Sequence, residues 1–289
     1  MKQPEAKQGD VLVFTADNKW ISKLIAWGTF SDVSHAAMVY DDGQMVEMGP
    51  DGIMLTRTQA GSGPSAERAH LLRLSPEQDS AMLIGAAQKY LQAKICYDFP
   101  ALVLLGAVLI YRRLQPDPRT FSPLDQLLAM ACVAVDQLIK QLRRHPDAMV
   151  CSQLVYQVYQ DCGAEYQLTV ENGLFEAADD ALPRLFELAR PDDDFETTCV
   201  NPDADPEALC RELFLTLAEP SDAAAFENIQ FPHTLTARAG RLHSLFEQLA
   251  ELAQVPLEAL LVMPSDLAYH TTNLEPLGTL VLERCGRIQ

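Results

Sequence analysis

No HExxH occurs in this chain, and its six histidines (35, 70, 145, 233, 243 and 270) are scattered without Cys/His pairing at zinc spacing. Zinc sites draw their ligands from short, regular spacings of such residues, so no metal centre is expected. Phosphate-cradling glycine loops are missing too, since neither GxxxxGK(S/T) nor GxGxxG is found. With these signatures gone, no nucleotide or other cofactor is expected. Seven cysteines (96, 132, 151, 162, 199, 210 and 285) make an odd number with no CxxC pair, and the first eight residues lack the apolar centre of a signal peptide. Both features predict a reducing, cytoplasmic setting rather than a disulfide-built secreted protein. The longest apolar run, 101–110, falls well short of the roughly 20 residues that span a bilayer. It reads as a buried helix; the alternatives are membrane contact through 99–111 or a wall of a lipophilic substrate channel. Positive charge is scarce as well, with 22 basic against 40 acidic side chains and a formal charge of −18. Such a surface repels phosphate backbones, so nucleic acid is not an expected partner.

What is present is ample apolar material, 48% of 289 residues, enough for one large domain or for a core with an insertion. Residues 10–14 read as a first strand and 20–27 as a helix stopped by Gly28. Two alternating stretches, 35–40 and 44–48, flank the turn Asp41-Asp42-Gly43 and read as a β-hairpin. Residues 52–58 and 69–74 read as further strands, and Ser75 with Pro76 opens a helix to residue 91. An amphipathic helix follows over 124–142. Beyond residue 172 the chain turns acidic, alanine-rich and helical, punctuated by prolines. Helical patterns recur at 242–252 and 257–261, and a last strand is expected at 279–282.

Chemistry concentrates at two places. Cys151 opens Cys151-Ser152-Gln153-Leu154-Val155-Tyr156-Gln157-Val158-Tyr159, whose apolar residues fall at helical spacing. A cysteine in the first turn of a helix meets free backbone N–H groups and the positive end of the dipole, both of which favour the thiolate nucleophile. Upstream, the hairpin puts His35 and Glu47 near enough to be neighbours. A Cys on a helix facing a His and a carboxylate on a sheet forms a nucleophile, a base and an orienting group. Taken singly, His35 could be a structural histidine, Glu47 a solvent-facing strand residue and Cys151 a buried packing cysteine. Cys96, beside Tyr97-Asp98, is the rival thiol.

The segments Gly9-Asp10-Val11-Leu12-Val13-Phe14, Ser34-His35-Ala36-Ala37-Met38-Val39-Tyr40, Glu47 and Cys151-Ser152-Gln153-Leu154-Val155-Tyr156 together resemble the permuted NlpC-type papain-like proteins. That group includes bacterial permuted peptidase-like proteins and, more distantly, lecithin:retinol acyltransferase-like enzymes. The likeness covers residues 9–60 and 95–165, and Met263-Pro264-Ser265-Asp266-Leu267-Ala268 looks like the C-terminal return of the bacterial members. It implies an α+β fold with an antiparallel sheet packed on helices, in which the His strand precedes the Cys helix. The catalytic core would be 1–171 with 263–289, and 172–262 a mainly helical acidic insertion. By the same resemblance Cys151 is the nucleophile, His35 the base and Glu47 its orienting partner, while Tyr97 lines the site or the oxyanion pocket. Ser34 and Ser152 flank the pair as substrate contacts or local hydrogen-bonders; neither has a better base that would make it a nucleophile. The implied activity is hydrolysis of an amide or peptide-like acyl bond through a thioester acyl-enzyme. Acyl transfer or hydrolysis on a lipid, and a non-catalytic binding protein on the same fold, are the alternatives.

Overall fold

The computed structural model describes residues 4–49, 51–93, 95–97, 118–142, 148–171, 205–218, 232–253 and 262–288. In chain order its elements are β1 (Val11–Thr15), α1 (Trp20–Gly28), β2 (Val33–Asp41), β3 (Gln44–Gly49), β4 (Gly52–Ala60), β5 (Glu67–Leu74) and α2 (Ser80–Ala93). There follow β6 (Cys96–Tyr97), α3 (Pro118–Leu142), β7 (Ala148–Met149), α4 (Cys151–Gln160), α5 (Pro206–Ala218), α6 (His233–Ala253), a π-helical turn (Asp266–His270) and β8 (Leu274–Ile288). The chain divides into two compact units. One comprises Met1–Asp98, Asp147–Glu176 and Glu258–Gln289, the other Phe99–Pro146 and Ala177–Leu257.

The first unit is built on six antiparallel strands that close into a barrel in the order β1-β2-β3-β4-β8-β5. Closure leaves none of these strands with an unpaired edge. Side chains alternate between its faces, as the pleat requires. Leu12, Phe14, Ala37, Val39, Met45, Ala69, Leu71 and Leu280 fill the interior. Val11, Val13, Ala36, Met38, Val46, Met48 and Leu72 face outward, against Leu83 and Ala87 of α2 and Leu154, Val155, Val158 and Tyr159 of α4. Each buried Val or Leu contributes about 1.5–3 kcal/mol of transfer free energy. The three aliphatic anchors of α4 therefore fix its register on the barrel, and with it the position of Cys151.

The Gly9-Asp10 pair forms a clasp. Gly9 has φ +86°, and a Cβ there would lie 2.8 Å from Leu83 Cδ1; its carbonyl accepts from the Tyr159 hydroxyl. Asp10 accepts from Arg73 Nε and Nη2, both at 2.7 Å, and from the Lys7 N–H at 2.7 Å. One turn thus ties β1 to β5, α2 and α4.

Three expectations are corrected. The last strand covers Leu274–Ile288 rather than 279–282. Glu275, Pro276, Gly278, Glu283 and Gly286 hide its alternation, and register shifts occur opposite it at Leu71/Leu72 and Arg57/Thr58. Helix α2 begins at Ser80, not at Pro76. Asp79 Oδ1 accepts the Ala81 N–H at 3.0 Å at this start, while the Ser75 N–H is spent on the Asn273 carbonyl at 2.9 Å. Third, α3, assigned by sequence to the catalytic core, packs on α5 and α6, helices of the segment read as the insertion. Its stripe of Leu124, Leu127, Leu128, Ala131 and Val135 is buried, and Arg238 of α6 pairs with Asp125 at 2.8 Å. Helical spacing marks such a face as buried without saying what covers it.

Within 172–262 the described elements α5 and α6 are helices, as expected. The apolar run 99–111 and the helix expected at 257–261 lie outside the described residues. Among the described residues, no helix is long and apolar enough to cross a membrane.

Candidate active site

His35 stands near the start of β2, its Cα paired with that of Phe14, and Glu47 on β3 lies opposite Ala37. Across an antiparallel pair, residues two positions off the direct partner share its face within reach of long side chains. His35 and Glu47 are such diagonal neighbours, and Nε2 lies 2.7 Å from Oε2. Thr56 of β4 donates its hydroxyl to Glu47 Oε1 at 2.6 Å. Arg284 of β8 adds a third partner, with Nη1 at 2.9 Å from Oε2 and 3.2 Å from Oε1. Its Nε donates to Glu67 Oε2 at 2.8 Å, and the guanidinium sits 5.0 Å from the centre of the Phe14 ring. The same ring lies 5.8 Å from that of His35. Glu47 is 2% exposed, and a buried carboxylate needs this full complement of donors.

Cys151 is the first residue of α4, after Val150, an extended N-cap whose side chain makes no capping bond. The first-turn N–H groups have no intrahelical acceptor. The Cys151 sulfur is coupled electrostatically to the His35 ring, and the Ala36 and Ser152 N–H groups also favour its charged form. With Nε2 engaged by Glu47, Nδ1 is the His35 nitrogen left for the sulfur.

Electrostatics at the three residues follow from this packing. Burial would raise the Cys151 thiol, but the His35 imidazolium and the two backbone donors outweigh it and leave the thiol below its ordinary value. Burial likewise works against a charged His35. The Cys151 thiolate and Glu47 overcome it and raise the imidazole to about 9. Glu47 would also rise on burial, yet His35, Arg284 and Thr56 hold it at about 2. These directions favour a thiolate–imidazolium pair backed by a carboxylate, and His35 keeps 23% of its side-chain surface exposed. Other thiols differ: burial pushes Cys132 up to about 12 and raises Cys162.

Sequence reasoning named Cys151, His35 and Glu47, and the fold brings all three together. It left Ser34 and Ser152 as substrate contacts or local hydrogen-bonders, and their hydroxyls make local bonds. The Ser34 hydroxyl lies 2.5 Å from that of Ser22, and the Ser152 hydroxyl donates to the Val262 carbonyl at 2.5 Å. Both residues are buried and their hydroxyls are spent inside the protein; Ser152 serves the site through its backbone N–H. Tyr97 lies on β6, whose backbone runs parallel to β7 with Tyr97 opposite Met149, two residues before Cys151. The side chains of Tyr97 and Cys96 lie outside the described residues.

Thr56, Arg284 and Phe14 went unnoticed in the sequence. Thr56 and Phe14 fit the inward phase of their strands, a signal for facing but not for function. Arg284, inside Glu283-Arg284-Cys285-Gly286-Arg287, carries no local signal at all. The segment 262–270 also has a role now visible. Its Val262 carbonyl takes the Ser152 hydroxyl, Asp266 Oδ2 accepts the Met263 N–H at 2.8 Å, and the Tyr269 hydroxyl donates to Asp32, three residues before His35. No family model, curated protein or solved structure matches this chain.

Proposed function

We propose that the protein is a cysteine-dependent hydrolase of an amide or peptide-like acyl bond, on a circularly permuted papain-like fold of the NlpC type. The observation that carries this reading is Cys151 at a helix N-terminus, coupled electrostatically to His35, with His35 Nε2 held by Glu47 at 2.7 Å. The element order supports the permutation, since the strand bearing His35 precedes the helix bearing Cys151 and both belong to one antiparallel barrel unit.

In the proposed reaction the Cys151 thiolate attacks the carbonyl carbon, and the developing oxyanion is met by backbone donors at the α4 N-terminus. As the C–N bond breaks, the His35 imidazolium gives its proton to the departing nitrogen, leaving a thioester. Neutral His35 then takes a proton from water as the water oxygen attacks the thioester. The acid leaves, and the thiolate–imidazolium pair is restored. Glu47 holds the ring orientation and stabilises its charge throughout.

The test is alkylation of Cys151 by iodoacetamide as a function of pH, in the wild type and in His35→Ala. The expected result is modification well below pH 8 in the wild type, ahead of Cys132 and Cys162, and loss of that acidic reactivity in the variant. An ordinary thiol profile shared by both proteins would point to a binding module instead.

A further inference from the structure

Arg284 reaches the site from the strand that closes the barrel, and the reaction above gives it no part. Its guanidinium spans two carboxylates, with Nη1 at 2.9 Å from Glu47 Oε2 and Nε at 2.8 Å from Glu67 Oε2, and it lies over the Phe14 ring. Glu47 Oε2 thus serves two cations, Arg284 and His35. We propose that Arg284 is a positioning residue of the hydrolysis, keeping Glu47 ionised and in place whenever His35 is neutral and so letting His35 release its proton. This rests on the thiol-hydrolase reading.

His35 must be charged at rest and neutral once the leaving nitrogen is protonated. If His35 were the sole counter-ion of Glu47, that transfer would strand an unpaired carboxylate that is 2% exposed. Stranding a buried charge is unfavourable, and the penalty would appear as a reluctance of His35 to part with its proton. A guanidinium does not deprotonate in proteins, so Arg284 stays charged at every step and lessens the dependence of Glu47 on the ring. Its planar fork meets both glutamates at once, which a lysine ammonium cannot reproduce. Glu67, on β5, holds the fork from its far side.

The groups that bear on His35 are Cys151 from α4, Glu47 from β3 and, through Glu47, Thr56 from β4, Arg284 from β8 and Glu67 beyond it; Phe14 of β1 is apolar. Removing the Arg284 charge lets Glu47 act on His35 undivided, so the imidazolium persists to higher pH. Removing the Glu67 charge leaves the guanidinium freer to engage Glu47, so the imidazolium is lost at lower pH.

The experiment titrates the His35 ring protons by NMR in the wild type, Arg284→Met, Arg284→Lys and Glu67→Gln. Single-turnover acylation is then measured with a p-nitrophenyl ester, whose leaving group needs no proton, and with the matching p-nitroanilide, whose leaving group does. In Arg284→Met the His35 midpoint should rise by about one pH unit, and anilide acylation should fall at least about tenfold while ester acylation is kept. Arg284→Lys should restore most of the midpoint but only part of the anilide rate, and Glu67→Gln should move the midpoint down. An unmoved midpoint in both Arg284→Met and Glu67→Gln, or equal losses on ester and anilide, would overturn the proposal in favour of a plain cross-link between strands. Should Arg284→Met fail to fold, the Glu67→Gln midpoint decides alone. Failure of the hydrolase reading looks different, as wild-type alkylation of Cys151 that ignores His35→Ala.

Discussion

Replacing Glu47 by Gln removes one negative charge from the site while keeping the shape of the side chain. Glu47 is brought from its ordinary 4.5 to about 2 in the fold, a shift worth about 3 kcal/mol of folding stability at roughly 1.4 kcal/mol per unit. Because the folded value is depressed, that contribution is complete above pH 4.5 and is lost as the pH falls towards 2. His35 runs the other way. Its folded value is raised from 6.5 to about 9, so its contribution is complete below 6.5 and is lost as the pH rises through 9. Both shifts describe the same set of ion pairs seen from different members, so they are not summed. Urea denaturation of the wild type and Glu47→Gln at a series of pH values is the assay, and the difference between the two proteins is the quantity to read. We expect a difference of about 3 kcal/mol between pH 4.5 and 6.5, shrinking to under about 1 kcal/mol near pH 2, where Glu47 is about half protonated in the fold and fully protonated in the unfolded chain. It should also narrow above pH 9, as the imidazolium disappears. A difference that stays constant from pH 2 to 10 would refute the reasoning, because Glu47 would then be stabilising through packing rather than charge.

Two further outcomes separate structural from chemical roles around the site. Ser152→Ala should cost about 1 kcal/mol of stability by leaving the Val262 carbonyl without its hydroxyl, yet Cys151 alkylation should keep the wild-type pH profile; a lost profile would mean the hydroxyl takes part in the chemistry. Gly9→Ala places a Cβ at φ +86°, 2.8 Å from Leu83 Cδ1, and should lower stability by about 1–2 kcal/mol in thermal or chemical unfolding, whereas an unchanged midpoint would show that the clasp tolerates a side chain.

Much of the site was legible because it is local. His35 and Glu47 are twelve positions apart, joined by a turn in which Gly43 takes φ +63°, and strand alternation puts them on one face. Cys151 announces itself by the 3.6-residue spacing of Leu154, Val155 and Val158, which dictates both a helix and which side of it is buried. The same rules fail for Arg284, which meets Glu47 across 237 positions in a strand interrupted by proline and glycine. They fail for α3 as well, since its apolar stripe demands a partner without naming one. They leave open the roles of Ser34 and Ser152, which adjoin His35 and Cys151 in sequence but whose hydroxyls face Ser22 and Val262. The sequence by itself determined that Cys151 opens a helix and that His35 and Glu47 share one face of a hairpin, because helix and hairpin periodicity act over a few residues. Only the tertiary structure decided how the barrel closes, which cation shares Glu47 and where α3 packs, because those contacts join distant segments whose partners are selected by mutual burial and pairing.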